Sequence, residues 1–115
     1  MFQISIKNKH THFETFQDVY VGRGSPLGNP YTSRKNSKAN FQVPDKETAI
    51  SKYKEYLLEE ISKENVKILK EIHKIENKIR KGNVNLICYC YPKKCHAEVI
   101  REVILKRTNK KDLHD

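Results

Sequence analysis

A chain of 115 residues has the size of one domain and can bury a core without disulfides or a structural metal. Hydrophobic residues at 37% exclude the composition of a disordered chain, and no stretch approaches the roughly eighteen consecutive apolar residues of a membrane span. Twenty-three Lys and Arg against fourteen Asp and Glu leave +9, a charge that attracts phosphate-bearing partners at low salt and does so less as salt is added.

The first residues, Met1-Phe2-Gln3-Ile4-Ser5-Ile6-Lys7, lack the long apolar run of a signal peptide, so the sequence predicts a cytoplasmic protein. Phe2, Ile4 and Ile6 alternate with polar residues, which predicts a half-buried strand over 1–7 with those three on the core face. A polar loop over 8–15 carries His10 and His12, for which solvent explains the pattern better than metal binding. Residues 16–21 then read as a second strand, rich in Phe, Val and Tyr, that stops at Gly22.

Residues 22–30 hold three of the four glycines and two of the four prolines, which marks irregular backbone with places for positive φ. The polar, basic stretch 31–43 shows neither helical nor strand period and is expected to be a long exposed loop. Asp45 suits a helix N-cap, with Ala49, Ile50, Tyr53, Leu57 and Ile61 following at helical steps. Ile68, Leu69, Ile72, Ile75 and Ile79 repeat that spacing, Glu64-Asn65 marks a break or a kink between the two segments, with one long helix as the alternative, and Gly82 follows as a stop. His73 falls at a surface position of the second helix.

Residues 84–91 form the strongest predicted strand. Leu86, Cys88 and Cys90 point to one face and Ile87, Tyr89 and Tyr91 to the other, as in an interior strand covered on both sides, which makes Tyr89 a core residue. After a turn at Pro92-Lys93-Lys94, Cys95 or His96 opens a last helix with Val99, Ile100, Val103 and Ile104 inward. This helix is expected to fray near Thr108, so that 108–115 form a flexible basic tail. The order predicts one α/β domain over 1–115. Its sheet has about three strands with at least one parallel pair, in two or three layers packed by three helices. The strands at 16–21 and 84–91 should be parallel and neighbours or near neighbours, with both following loops at the carboxyl edge where α/β ligand sites lie.

Two segments could carry chemistry. In the first, the backbone N–H groups of Gly22, Gly24 and Gly28 can approach an anion closely, with Ser25 beside them. Arg23 adds a charged fork, and Asn29 offers a donor and an acceptor. Neither the Walker pattern nor the dinucleotide fingerprint is present, and a purely structural turn would use the same glycines and prolines. In the second, Cys95 and His96 at a helix start are the best candidates for a catalytic pair, because the helix dipole favours an anion and lowers a thiol pKa. A capped helix with a satisfied histidine explains them equally well. Cys88, Cys90, Cys95 and His96 invite a zinc reading, but a Cys-x-Cys strand followed by adjacent Cys-His lacks the usual ligand spacing, and buried thiols are ordinary core residues. Three cysteines within eight residues also fit reduced thiols better than a secreted disulfide framework. The expectation is therefore no metal and no cofactor.

The run Val19-Tyr20-Val21-Gly22-Arg23-Gly24-Ser25-Pro26-Leu27-Gly28-Asn29-Pro30-Tyr31, followed by Leu86-Ile87-Cys88-Tyr89-Cys90-Tyr91-Pro92 and Cys95-His96-Ala97, closely resembles the family called domain of unknown function 4326. The likeness runs from about Val19 to Ile104, and members of that family occur in phages and bacteria. It implies that Gly22, Arg23, Gly24, Gly28, Asn29 and Pro30, with Cys90, Pro92, Cys95 and His96, stand at motif positions of one joint site. The chain departs from the commoner pattern at Tyr89, where an indole is often found, and in its Lys-rich helices and tail. The leading expectation is a protein that binds a nucleotide or nucleic acid at the joint site, with or without a reaction on it. The alternative is a non-enzymatic phage accessory protein that binds host protein or DNA through a basic helical face, and a zinc-stabilised binding module ranks third.

Overall fold

The computed structural model describes residues 4–32, 41–89 and 95–114. Phe2, Cys90, Tyr91, Pro92, the two lysines of the turn and the middle of the 31–43 stretch lie outside the described residues.

Strands β1 (Ile4–Asn8), β2 (Asp18–Tyr20) and β5 (Val84–Cys88) form a parallel sheet in the order β1-β5-β2. Alternation decides which way this sheet faces. Ile4, Ile6, Val19, Val84, Leu86 and Cys88 turn to one side and are buried in a single cluster with the apolar residues of all three helices. The helices α1 (Lys46–Ser62), α2 (Val66–Ile79) and α3 (Ala97–His114) therefore cover that side, giving two layers. The opposite side carries Lys7, Asn85, Ile87, Asp18 and Tyr20, and the connection from β1 to β2 runs across it.

The helix boundaries have local causes. The Asp45 side chain accepts from the Thr48 N–H at 2.7 Å and caps α1. The break between α1 and α2 falls at Glu64, which takes a left-handed φ of 59°, and Asn65 then caps α2 through the Lys67 and Ile68 N–H groups. Gly82, at φ 149°, lets the chain leave α2 and enter β5.

Several expectations need correction. The second strand starts at Asp18, two residues later than predicted, because Asp18 closes a turn with Thr15 and leaves Phe16 outside the sheet, 84% exposed. The stretch 31–43 is not wholly irregular: β3 (Tyr31–Thr32) and β4 (Phe41–Gln42) pair in parallel, with the Tyr31 and Phe41 rings stacked at 5.3 Å. Tyr89 is not core. The strand ends at Cys88, and on the side away from the helices the Tyr89 ring remains 52% exposed beside His10 and Tyr20. The last helix does not stop near Thr108, where the side chains turn polar, but continues to His114. No helix among the described residues is long and apolar enough to cross a membrane.

Candidate functional site

The carboxyl ends of β2 and β5 bring the two motifs together. As β2 ends, the Val21 N–H still bonds the Ile87 carbonyl at 2.9 Å, and the chain then turns away through residues 22–30. The return from β5 reaches Cys95 and His96 at the same edge, where the His96 ring Nε2–H donates to the Val21 carbonyl. This bond spans 75 positions of sequence and joins the loop to the start of α3.

Within the loop the backbone folds on itself. The Ser25 N–H and hydroxyl both reach the Gly22 carbonyl, and the Gly28 N–H bonds the Ser25 carbonyl. A Cβ on Gly28 would lie 2.7 Å from the Gly22 carbonyl oxygen, a backbone atom that cannot swing aside, so only glycine fits. Gly24 takes φ 92° at the loop's tip. Arg23 is exposed, and its guanidinium donates to the Asn29 carbonyl and to the Tyr31 carbonyl. Two of its five N–H groups thus close the loop like a brace.

Asn29 is buried and uses both ends of its amide on the backbone. Its amide N–H donates to the Ala49 carbonyl of α1 at 3.2 Å, and its oxygen accepts from the Tyr31 N–H at 2.9 Å. Tyr53 of α1 fastens the other half of the loop, with its hydroxyl on the Leu27 carbonyl at 2.7 Å and its ring edge-on to His96 at 5.0 Å. Sequence periodicity placed Tyr53 in the core but not at the site. The available signal was its hydroxyl, which a buried tyrosine must satisfy.

At the helix start, Cys95 is a buried cap: its sulfur accepts from the Ala97 N–H at 3.3 Å and lies 3.3 Å from the Cys88 sulfur. The Cys95 and His96 carbonyls accept from the Glu98, Val99 and Ile100 N–H groups. Burial pushes the His96 pKa below the usual 6.5, the Val21 carbonyl pulls it back, and the Arg23 charge lowers it further. The ring is neutral at neutral pH and carries its proton on Nε2. His96 thus ties the loop to the start of α3, while Cys95 caps that helix and packs its start against Cys88 of β5. Among the described residues no group of three or more His, Cys, Asp or Glu is arranged to hold a metal, and Cys90 lies outside them.

The family model described as Domain of unknown function (DUF4326) matches residues 4–106. The chain belongs to this family. The matched span takes in the whole three-stranded sheet, both motifs and all but the end of α3, so the DUF4326 domain and the fold coincide. No curated protein and no solved structure matches the chain.

One cluster escaped sequence reasoning. On the helix-free side of the sheet, Asp18 accepts from the His12 ring at 3.0 Å, the Asn85 amide at 3.0 Å, and the N–H and hydroxyl of Thr15 at 2.9 Å. Partial burial raises its pKa, but the Thr15 N–H, Asn85, His12 and the Thr15 hydroxyl outweigh that and hold it at about 2. His12 is therefore bonded, contrary to the expected solvated residue. Its spacing from Asp18 carries no motif, and the pair becomes visible only when the connection folds over the sheet.

Proposed function

We propose that this protein binds a phosphate-bearing ligand, a nucleotide or nucleic acid, at the carboxyl edge of its sheet against the 22–30 loop. The observation that carries the reading is the buried His96 to Val21 bond, which fastens the glycine-rich loop to the start of α3. Open parallel sheets hold ligands at this edge. Arg23 offers a fixed positive charge there. Its fork is already ordered by two carbonyls, so ligand binding need not freeze a long side chain. His96 and Cys95 are positioning residues in this reading, and the function is binding.

A second reading, in which the motifs serve the fold and the protein acts through a basic helical face, is favoured by a specific observation. Arg23, Asn29 and His96 all spend hydrogen bonds on backbone carbonyls.

Thermal melting separates the two. Inorganic phosphate and a mononucleotide should raise the melting temperature, on the order of 10 °C at a ligand concentration about a hundredfold above Kd. Arg23→Gln keeps an N–H donor for the loop carbonyls and removes the charge. It should melt near the parent without ligand and lose most of the shift with it. A parent that melts unchanged with phosphate and every mononucleotide tried would transfer the assignment to the second reading.

A further inference from the structure

The end of β5 and the start of α3 bring two thiols into contact. Cys88 is the last residue of the central strand, and Cys95 stands two residues before α3 begins. Both are buried, at 1% and 3% exposure, and both carry thiols. Their sulfurs lie 3.3 Å apart. Packed carbon atoms in a core sit about 3.5–4.0 Å apart, and sulfur is the larger atom, so this contact is tighter than apolar filling requires. Among the described residues these are the only sulfurs in the core cluster, and they meet. A disulfide bond is about 2.0 Å long, so the two atoms have little more than about 1 Å to close. The backbone on either side is held by bonds that this closure need not break. The Cys88 carbonyl accepts from the Lys9 N–H at 2.8 Å and the Cys95 carbonyl from the Glu98 N–H at 3.1 Å, whereas each sulfur turns about its own side-chain torsion.

We propose that Cys88 and Cys95 form a reversible disulfide, a redox clasp that hydrogen peroxide closes between β5 and the start of α3. Burial excludes bulky oxidants from both sulfurs and selects a small one. Cys95 is the sulfur attacked first, because the Ala97 N–H donates to it at 3.3 Å, a bond that grows stronger on a thiolate. The Cys95 thiolate attacks one peroxide oxygen: the S–O bond forms, the O–O bond breaks, and the hydroxide that leaves takes up the thiol's proton as water. The Cys88 sulfur then attacks the sulfenic sulfur of Cys95. The S–S bond forms as the S–O bond breaks, and the Cys88 proton departs with the hydroxyl as a second water. Two thiols have lost two electrons to one peroxide. The residue after Cys95 is His96, whose ring holds the Val21 carbonyl, so the clasp secures from the strand side the anchor of the 22–30 loop. The chemistry is independent of the phosphate site proposed at the carboxyl edge.

Treating the folded full chain with hydrogen peroxide, then alkylating in denaturant, tests the clasp. The thiols that react should fall from three to one, with a mass loss of two hydrogens and no oxygen gained. Dithiothreitol should restore all three. Trypsin cuts after Lys81, Lys93, Lys94 and Arg101, so the bond should link peptide 82–93 to peptide 95–101, and fragment ions should place it on Cys88 and not on Cys90. Cys90→Ser should oxidise in the same way and keep no thiol. The oxidised parent should melt on the order of 5 °C above the reduced one, because the bond restricts the unfolded chain without distorting the fold. The proposal is overturned if the sulfurs gain oxygen without a crosslink, if the bond maps to Cys90, if Cys90→Ser keeps both thiols, or if the oxidised parent melts at or below the reduced one. None of these readings uses a phosphate ligand, so the clasp and the phosphate site can fail separately.

Discussion

His96 shows how one residue can tie function, folding and pH together. Its ring is a free base in the fold, and in the unfolded chain it takes up a proton near pH 6.5. The unfolded state therefore binds more protons as the pH falls through 6.5 toward the lower folded value, and stability present above 6.5 is lost across that window. Melting curves of the parent and of His96→Gln, which can still donate to the Val21 carbonyl but does not titrate, should differ most above pH 7 and converge toward pH 5. A constant difference would show that the ring takes its proton without leaving the carbonyl. Asp18 follows the opposite chemistry to a similar end: its folded pKa of about 2 lies under the ordinary 3.8, so its contribution is complete above 3.8 and disappears as the pH falls through 2. The positions of Arg23, Asn29 and His96 were legible in the sequence, because glycines, prolines and a Cys-His pair punctuate it sharply. Their bonding was not. An arginine beside glycines reads the same whether its fork meets a ligand or the loop's own carbonyls, and only the folded backbone decides.

At the scale of elements, the break between α1 and α2 is held by a residue that disfavours its own backbone. Glu64 sits at φ 59°, a left-handed conformation that costs a side-chain-bearing residue roughly 1 kcal/mol and glycine nearly nothing. Glu64→Gly should raise stability by up to about 1 kcal/mol, less the extra freedom glycine gives the unfolded chain, and Glu64→Val should lower it by at least as much, as denaturant midpoints would show. The helices themselves were readable from isoleucine and leucine spacing, and so was the cap at Asp45. What periodicity could not supply was the short pairing of β3 with β4, since two residues show no period, or the end of α3. Polar sequence beyond Thr108 suggested fraying, yet it holds no glycine or proline to stop a helix, and α3 runs on to His114. Tyr89 was misplaced for a related reason: alternation continues in the sequence after the ladder has stopped at Cys88.

For the whole molecule, the sheet order β1-β5-β2 has a temporal meaning. Neither β1 nor β2 touches the other in the ladder, and both pair only with β5, which is separated from them by two helices. A growing chain that has left the ribosome as far as Asn83 holds two lone strands with nothing to bond to, and α1 and α2 have no sheet to cover. Nucleation must wait for Val84 to Cys88 to emerge and close loops of more than sixty residues, which is slow in comparison with local helix formation. A fragment of residues 1–83 should therefore be cut by protease throughout and show at most partial helix by circular dichroism, and adding a peptide of residues 84–114 should restore protection to both earlier strands at once. Protection of β1 or β2 in the fragment alone would mean that the strands find another partner. Until its central strand is made, the protein depends on whatever shields Ile4, Ile6 and Val19 from other chains, so the interval between synthesis of β2 and β5 is its period of greatest exposure to aggregation.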